Sequence, residues 1–302
     1  MMNELSEKIL KLKKEKNAII LAHLYQIPEI QEIADYVGDS YYLSQVARDA
    51  KEDLIIFCGV KFMAESAKVL SPEKTVILPA PNAGCPMADM AEVEDVEEMI
   101  KKYPDAFKVC YINSSYEVKA LCDASVTSSS ALNIIKNIPN KQILFLPDQN
   151  LGGYISEFFP EKEFILWRGF CPTHHRITAE DVLNAKQGHP NVKVLAHPEC
   201  SKEVRELSDY LGSTSGIIDY ATKCEDNEFI IATEEGVLHQ LQKKNPNKKF
   251  YFPEVMVCPN MKKTSLQDVY DALDGKKEEV ILDEEIRKKA LTSLENMHKL
   301  GN

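Results

Sequence analysis

The stretch HLYQIPEIQEIADYVGDS at residues 23–40 returns without a gap as YINSSYEVKALCDASVTS at 111–128 and as HPECSKEVRELSDYLGST at 197–214. The copies stand 88 and then 86 residues apart. Each follows a short apolar run of strand length: Ala18-Ile19-Ile20-Leu21, Phe107-Lys108-Val109-Cys110 and Val192-Lys193-Val194-Leu195. Within each copy the period turns helical. Ile30, Ile33, Ala34 and Val37 make one apolar stripe, Val118, Leu121 and Cys122 a second, and Val204, Leu207 and Leu211 a third. Each helix carries an aspartate at the same place (Asp35, Asp123, Asp209), read as structural, and stops at a small-residue turn.

The repeat extends outward. Pro72-Glu73-Lys74, Pro160-Glu161-Lys162 and Pro246-Asn247-Lys248 keep the same spacing, and each precedes a β-rich run that ends in Cys-Pro, at Cys85, Cys171 and Cys258. Two sets of matches with shared offsets mark a true internal repeat. Strand, helix, strand, helix, strand is the order of an α/β unit on a parallel sheet. The expected fold is therefore α/β: three pseudo-threefold-related, three-layer α/β/α domains with small parallel sheets and the active site on the central axis. Units are expected at 1–86, 87–172 and 173–258. Residues 259–302 read as a helix, a strand (Glu279-Val280-Ile281-Leu282) and a C-terminal helix that complete the first unit.

A net charge of −11 over 302 residues argues against a nucleic-acid partner. The amino-terminal MMNELSEKILKLKKEK has no apolar h-region and no run reaches 18 apolar residues, so neither export nor a membrane span is expected. The expected location is cytoplasmic, and in that reducing compartment eight cysteines point to metal or catalysis rather than disulfides.

Ligands of parallel α/β sheets bind at the carboxyl ends of strands. His23 and Tyr25, Tyr111 and Asn113, and His197 and Glu199 stand at that edge in equivalent positions, followed by Ser40, Ser128 and Thr214. If the three edges face the pseudo-axis, these groups converge on one cavity, with Cys85, Cys171 and Cys258 at one end of it. Three thiolates on a [4Fe–4S] cube leave one iron open as a Lewis acid, whereas electron-transfer clusters take four. No Cys-x-x-Cys occurs, against a zinc ribbon or a thioredoxin-like pair. Cys58, Cys110, Cys122, Cys200 and Cys224 have no threefold mate and read as core. Zinc on the three cysteines with His174 or His175 as fourth ligand stays open as an alternative. The strand-end location of His23 and His197 outweighs a purely structural histidine role. Ser40, Ser128 and Thr214 serve equally as turn residues and as a phosphate or carboxylate site. The lysine runs 11–16 and 243–249 read as solvated faces.

Assembled, these residues resemble the quinolinate synthase family, end to end. The resemblance rests on His23-x-Tyr25-Gln26, Gly38-Asp39-Ser40, Cys85-Pro86-Met87-Ala88, Tyr111-x-Asn113-Ser114, His197-Pro198-Glu199-Cys200, Gly212-Ser213-Thr214 and Cys258-Pro259-Asn260-Met261-Lys262. It implies a transferase of NAD biosynthesis that condenses iminoaspartate with dihydroxyacetone phosphate to quinolinate, phosphate and two waters. It implies one [4Fe–4S] cluster per chain on Cys85, Cys171 and Cys258. It also implies substrate contacts from His23, Ser40, Tyr111, Asn113, Ser128, His197, Glu199 and Thr214, and a partner enzyme that supplies iminoaspartate. Glu199 is then the expected general acid/base, with Tyr25 and Tyr111 as hydrogen-bond or proton donors. Rival readings are another cluster-dependent hydro-lyase, a non-catalytic iron–sulfur protein and a zinc-stabilised structural protein.

Overall fold

A computed structural model describes residues 4–253 and 256–301. Among these residues three four-stranded sheets form, every paired strand parallel to its neighbour. The first unit runs α1 (Glu4–Glu15), β1 (Ala18–His23), α2 (Pro28–Ile33), β2 (Tyr36–Gly38), α3 (Ser40–Asp49), β3 (Leu54–Cys58), α4 (Lys61–Leu70), β4 (Thr75–Ile77) and the short α5 (Pro86–Asp89). The second repeats this order: α6 (Val93–Lys102), β5 (Phe107–Tyr111), α7 (Tyr116–Lys119), β6 (Ala124–Val126), α8 (Ala131–Asn137), β7 (Gln142–Leu146), α9 (Gln149–Ser156), β8 (Glu163–Leu166) and α10 (Pro172–His175). The third has α11 (Ala179–Gly188), β9 (Lys193–Ala196), α12 (Lys202–Glu206), β10 (Tyr210–Leu211), α13 (Thr214–Lys223), β11 (Glu228–Ala232), α14 (Val237–Lys244) and β12 (Lys249–Tyr251). Helices α15 (Leu266–Leu273) and α16 (Glu284–Leu300) follow.

The sheets are ordered β2-β1-β3-β4, β6-β5-β7-β8 and β10-β9-β11-β12. In each, the chain steps one way from the first strand to the second and then reverses past it. Right-handed crossovers therefore put the first connecting helix on one face and the next two on the other. The packing follows. Ile20, Ala22 and Ile56 face Ile9, Ile30 and Ile33 of α1 and α2 in one cluster, whereas Ile19, Leu21, Ile55 and Phe57 face Leu43 of α3 and Phe62 of α4. Alternate residues of β5, β7, β9 and β11 divide in the same way, and the three inner faces share one continuous core that includes Phe145 and Phe229.

Where the sequence pattern promised helix up to the aspartates, the chain leaves the helix earlier and enters a short edge strand. Asp35, Asp123 and Asp209 stand just before β2, β6 and β10 and are not helical. Each carboxylate accepts the amide of the neighbouring strand (Ile20, Lys108 and Val194, all at 2.8 Å), while its own amide donates to that residue's carbonyl. A local side-chain bond thus starts the parallel ladder in competition with the helix. The repeated lysines have an equally specific task. Lys74, Lys162 and Lys248 reach the carbonyls that follow or end α3, α8 and α13, namely Ala50 and Glu52, Ile138 and Asn140, and Ala221 and Cys224. Lys248 is therefore no solvated charge. Nor is Lys13, which is buried and pairs with Asp35 at 2.6 Å.

The carboxyl-terminal segment also departs from expectation. Glu279 makes a single antiparallel bridge to Ile77 and Val280 donates to Val76 (2.8 Å), which is too short a pairing to count as a strand. Helix α15 packs on α1 and β3 of the first unit, but α16 lies against α7, β6 and α8 of the second as well as α4 of the first. Ser293 meets Ser125 at 2.8 Å, Asn296 donates to the Asp123 carbonyl (2.8 Å), and Arg287 reaches the Val69 carbonyl (3.2 Å). The last helix is a brace between two units.

That brace carries a buried histidine. His298 lies against Tyr41 and 3.4 Å from Ser44 Oγ, and burial, aided by Arg48, holds its imidazole down at about 4 against 6.5 when free. In the window from 6.5 down to about 4 the unfolded chain binds a proton here that the folded chain does not, so stability falls as pH falls. His298→Gln removes this term, worth up to about 3 kcal/mol. Thermal melts of the metal-free chain across that window are expected to show a shallower acid decline for the variant. Parallel declines would count against the assignment.

Candidate active site

All twelve residues singled out as site residues line one cavity of about 150 Å³ on the inner side of the three units: His23, Tyr25, Ser40, Cys85, Tyr111, Asn113, Ser128, Cys171, His197, Glu199, Thr214 and Cys258. The topology explains the convergence. The first strand of each sheet is where the chain reverses direction, and ligands bind beyond the carboxyl ends of strands at such switch points. His23 ends β1, Tyr111 ends β5 and His197 follows β9. Ser40 and Thr214 open α3 and α13 behind the N-caps Asp39 and Ser213, whose side chains accept the amides of Tyr42 and Gly216. A hydroxyl beside the free N–H groups of a ten-residue helix is a seat for an anion.

Hydrogen bonding sets the tautomers. His23 Nδ1 accepts the Tyr25 amide (3.2 Å) and His197 Nδ1 accepts the Glu199 amide (3.3 Å). Neutral rings must then carry the proton on Nε2. His197 Nε2–H accordingly faces Ser128 Oγ at 3.2 Å. Burial keeps both rings neutral, pushing His23 down to about 3 and His197 to about 4. The cavity therefore offers histidine N–H donors without fixed charge.

Glu199 is the hub. Tyr111 donates to Oε1 at 2.6 Å and His174 Nδ1 to Oε2 at 2.8 Å. Burial alone would raise this carboxyl, but His197, His174 and the two hydrogen bonds hold it well below the usual range, so it stands ionised. Tyr25 and Tyr111 shift the other way: burial, reinforced by the Glu199 charge, keeps both phenols protonated far above 10. From Glu199 a chain of hydrogen bonds crosses the cavity wall. His174 Nε2 meets Thr233 Oγ1 (2.9 Å), Thr233 meets the Tyr25 hydroxyl (2.8 Å), and Thr214 donates to that same hydroxyl (2.9 Å). Asn113 Oδ1 is buried with no hydrogen-bond partner, an acceptor free to meet a ligand's donor.

Nothing in the sequence singles out Thr233, and it brings in His174 only as an alternative fourth zinc ligand. Their repeat equivalents are Ala88 and Met261, and Gly59 and Pro147, so no threefold signal marks them. His175, the other histidine weighed as a fourth metal ligand, is exposed, rests against Phe170 and is not part of the cavity wall. Of the cysteines read as core, Cys58, Cys110, Cys122 and Cys200 are buried, while Cys224 is half-buried at the end of α13.

Cys85, Cys171 and Cys258 are partly buried free thiols that face the same cavity. Burial pushes Cys85 up to about 12, Cys171 well above the usual thiol range and Cys258 upward, and Cys85 feels the charge of Cys258 as Cys171 feels that of Cys85. Backbone N–H groups two or three residues on donate to each sulfur: Met87 and Ala88 to Cys85, His174 to Cys171, Asn260 and Met261 to Cys258. Three thiols on the wall of one cavity, costly to ionise yet provided with N–H donors for the ionised form, suit a soft cation bound by thiolate. The tightest trio of ligand-type atoms is Cys171, His174 and Glu199, all within 4.8 Å.

The family model described as quinolinate synthetase A protein matches residues 7–299. The chain belongs to that family. Among its relatives, a quinolinate synthase of Clostridioides difficile (strain 630) is 60% identical over 299 residues, covering 99% of this chain and 98% of that one. Another, of Clostridium perfringens (strain SM101 / Type A), is 60% identical over 99% of both chains. A third, of Caldicellulosiruptor bescii, is 55% identical over 98% of both. Family membership at this coverage agrees with the resemblance drawn from the repeated motifs, and no helix among the described residues is long and apolar enough to cross a membrane.

Proposed function

We propose that the chain condenses iminoaspartate with dihydroxyacetone phosphate to quinolinate, phosphate and two waters, as a transferase in the cytoplasm. The observation that carries this reading is one cavity, in a chain of the quinolinate synthetase A family, that joins three cysteines to a polar set from all three repeats. Bound by Cys85, Cys171 and Cys258, one [4Fe–4S] cluster per chain supplies a Lewis-acidic iron with no protein ligand. The units proposed remain 1–86, 87–172 and 173–258.

The residues of the chain divide the remaining tasks. Ser40 and Thr214 with their helix N-termini, the Ser128 hydroxyl, and the Nε2–H groups of His23 and His197 bind carboxylates and phosphate. Asn113 receives a donor of the substrate. Glu199, ionised at rest, first removes a proton and then returns it where hydroxide leaves. Tyr111 and Tyr25 stay protonated and donate hydrogen bonds to oxygens of the three-carbon unit. Imines hydrolyse in water, so a partner enzyme that makes iminoaspartate is the expected supplier.

Anaerobic iron and sulfide analysis, followed by the two substrates, tests the whole reading. A brown protein with about four irons that forms quinolinate and phosphate together is expected. A brown protein without quinolinate favours a different hydro-lyase. A colourless protein with one zinc overturns the cluster and points to the Cys171, His174 and Glu199 trio. Tyr111→Phe removes the 2.6 Å donor to Glu199 and is expected to lower kcat about 10–100-fold. Unchanged kcat in that variant would remove Tyr111 from the mechanism.

A further inference from the structure

Val60, Asp148 and Glu234 occupy one position of the repeat, 88 and then 86 residues apart, two residues beyond the ends of β3, β7 and β11. Only two of the three are carboxylates. Asp148 is completely buried; its Oδ1 accepts the Leu151 amide at 2.8 Å and caps α9, and its Oδ2 accepts the amide of Cys171 at 3.2 Å. Glu234 is also completely buried. Its Oε2 accepts the Gly236 amide at 2.7 Å and its Oε1 accepts the amide of Cys258 at 3.1 Å. In the first unit Val60 has no side-chain acceptor to offer Cys85.

Burying a carboxylate is costly, so two such groups at the same register, each aimed at the amide of a cavity cysteine, call for a return. In both, a carboxyl oxygen accepts the cysteine amide, and fixing that amide fixes the direction of the Cα–Cβ bond. Lys262 reinforces the third-unit arrangement. Its ammonium lies 2.9 Å from Glu234 Oε1 and also donates to the Tyr25 carbonyl at 2.8 Å, which joins the Cys258 anchor to the first unit.

We propose that Asp148 and Glu234 are positioning residues that clamp the backbone of Cys171 and Cys258, so that two of the three metal ligands are held rigidly and Cys85 is the least constrained. This rests on the cluster reading above. Outer partners of metal ligands typically change metal retention about 10–100-fold.

Asp148→Asn is a sharp test because asparagine caps helices as well as aspartate does. Its oxygen can keep the Leu151 amide, while its NH2 turns a donor towards the Cys171 amide. Glu234→Gln does the same to Cys258. Two readouts are needed: the hydrogen-exchange rate of the backbone amides of Cys85, Cys171 and Cys258 in the metal-free folded chain, by NMR, and the rate at which a chelator removes iron from the reconstituted chain. In Asp148→Asn, the Cys171 amide alone is expected to exchange about tenfold faster, in Glu234→Gln the Cys258 amide alone, with iron lost faster from both. Unchanged rates at the named cysteine, equal acceleration at all three, or unaltered iron loss would each overturn the proposal. A wild-type chain that takes up no iron overturns the cluster reading separately, and the amide-exchange pattern still decides whether the clamp exists.

Discussion

Glu199→Gln is expected to keep its iron and lose about 10²–10⁴-fold in turnover. Glutamine preserves the shape of the side chain and can still accept from Tyr111 or His174, so the wall of the cavity changes little. What it lacks is a proton-accepting oxygen. The carboxylate sits in the one place where the Tyr111 hydroxyl, at 2.6 Å, and the His174 ring, at 2.8 Å, meet. Being held ionised despite burial, it begins as a base. Steady-state rates of quinolinate formation, read beside iron content, settle the matter. Full activity with full iron would exclude Glu199 as acid/base, whereas loss of iron would assign it a structural share in the metal site.

Single alanine replacements of Cys85, Cys171 and Cys258 have the second large effect. Two thiolates are too few to hold the cube, so each variant is expected to emerge colourless, with quinolinate formation at background. The fold itself should survive. The three thiols belong to the wall of the cavity, while the core is carried by residues such as Ile20, Leu21, Phe145 and Phe229, all fully buried. Far-UV circular dichroism of the variants is therefore expected to match the metal-free parent. Cys58→Ala is the control, since Cys58 is buried on the outer side of its sheet among Ile20, Ile56 and Val269 and should leave iron uptake intact. Retention of a full complement of iron by any of the three cavity variants would refute the three-thiolate reading.

Much of this architecture was legible because the chain repeats itself. An 88- and 86-residue spacing shared by His23, Tyr111 and His197 and by Lys74, Lys162 and Lys248 announces three equal units, and equal units around an axis bring equal positions together. The period also misleads in places. Asp35 looked helical because Ile30, Ile33, Ala34 and Val37 fit a helical stripe, but a two- or three-residue edge strand has no period of its own to reveal it. Its carboxylate bond to the Ile20 amide is what ends the helix. The final helix likewise carries an apolar face that names no partner, and only packing shows it spanning two units.

By itself, then, the sequence determined the unit, its threefold repetition, the strand-end side chains and the three cysteines, because these follow from local periodicity and from positions that recur. Tertiary structure decided which unrepeated residues join them. His174 and Thr233, which link Glu199 to Tyr25, have repeat mates of other chemistry, and Asp148 and Glu234, which hold the amides of Cys171 and Cys258, share a register that Val60 breaks in the first unit. Their roles arise from contacts between segments 23 or more residues apart, and such a contact leaves no period along the chain.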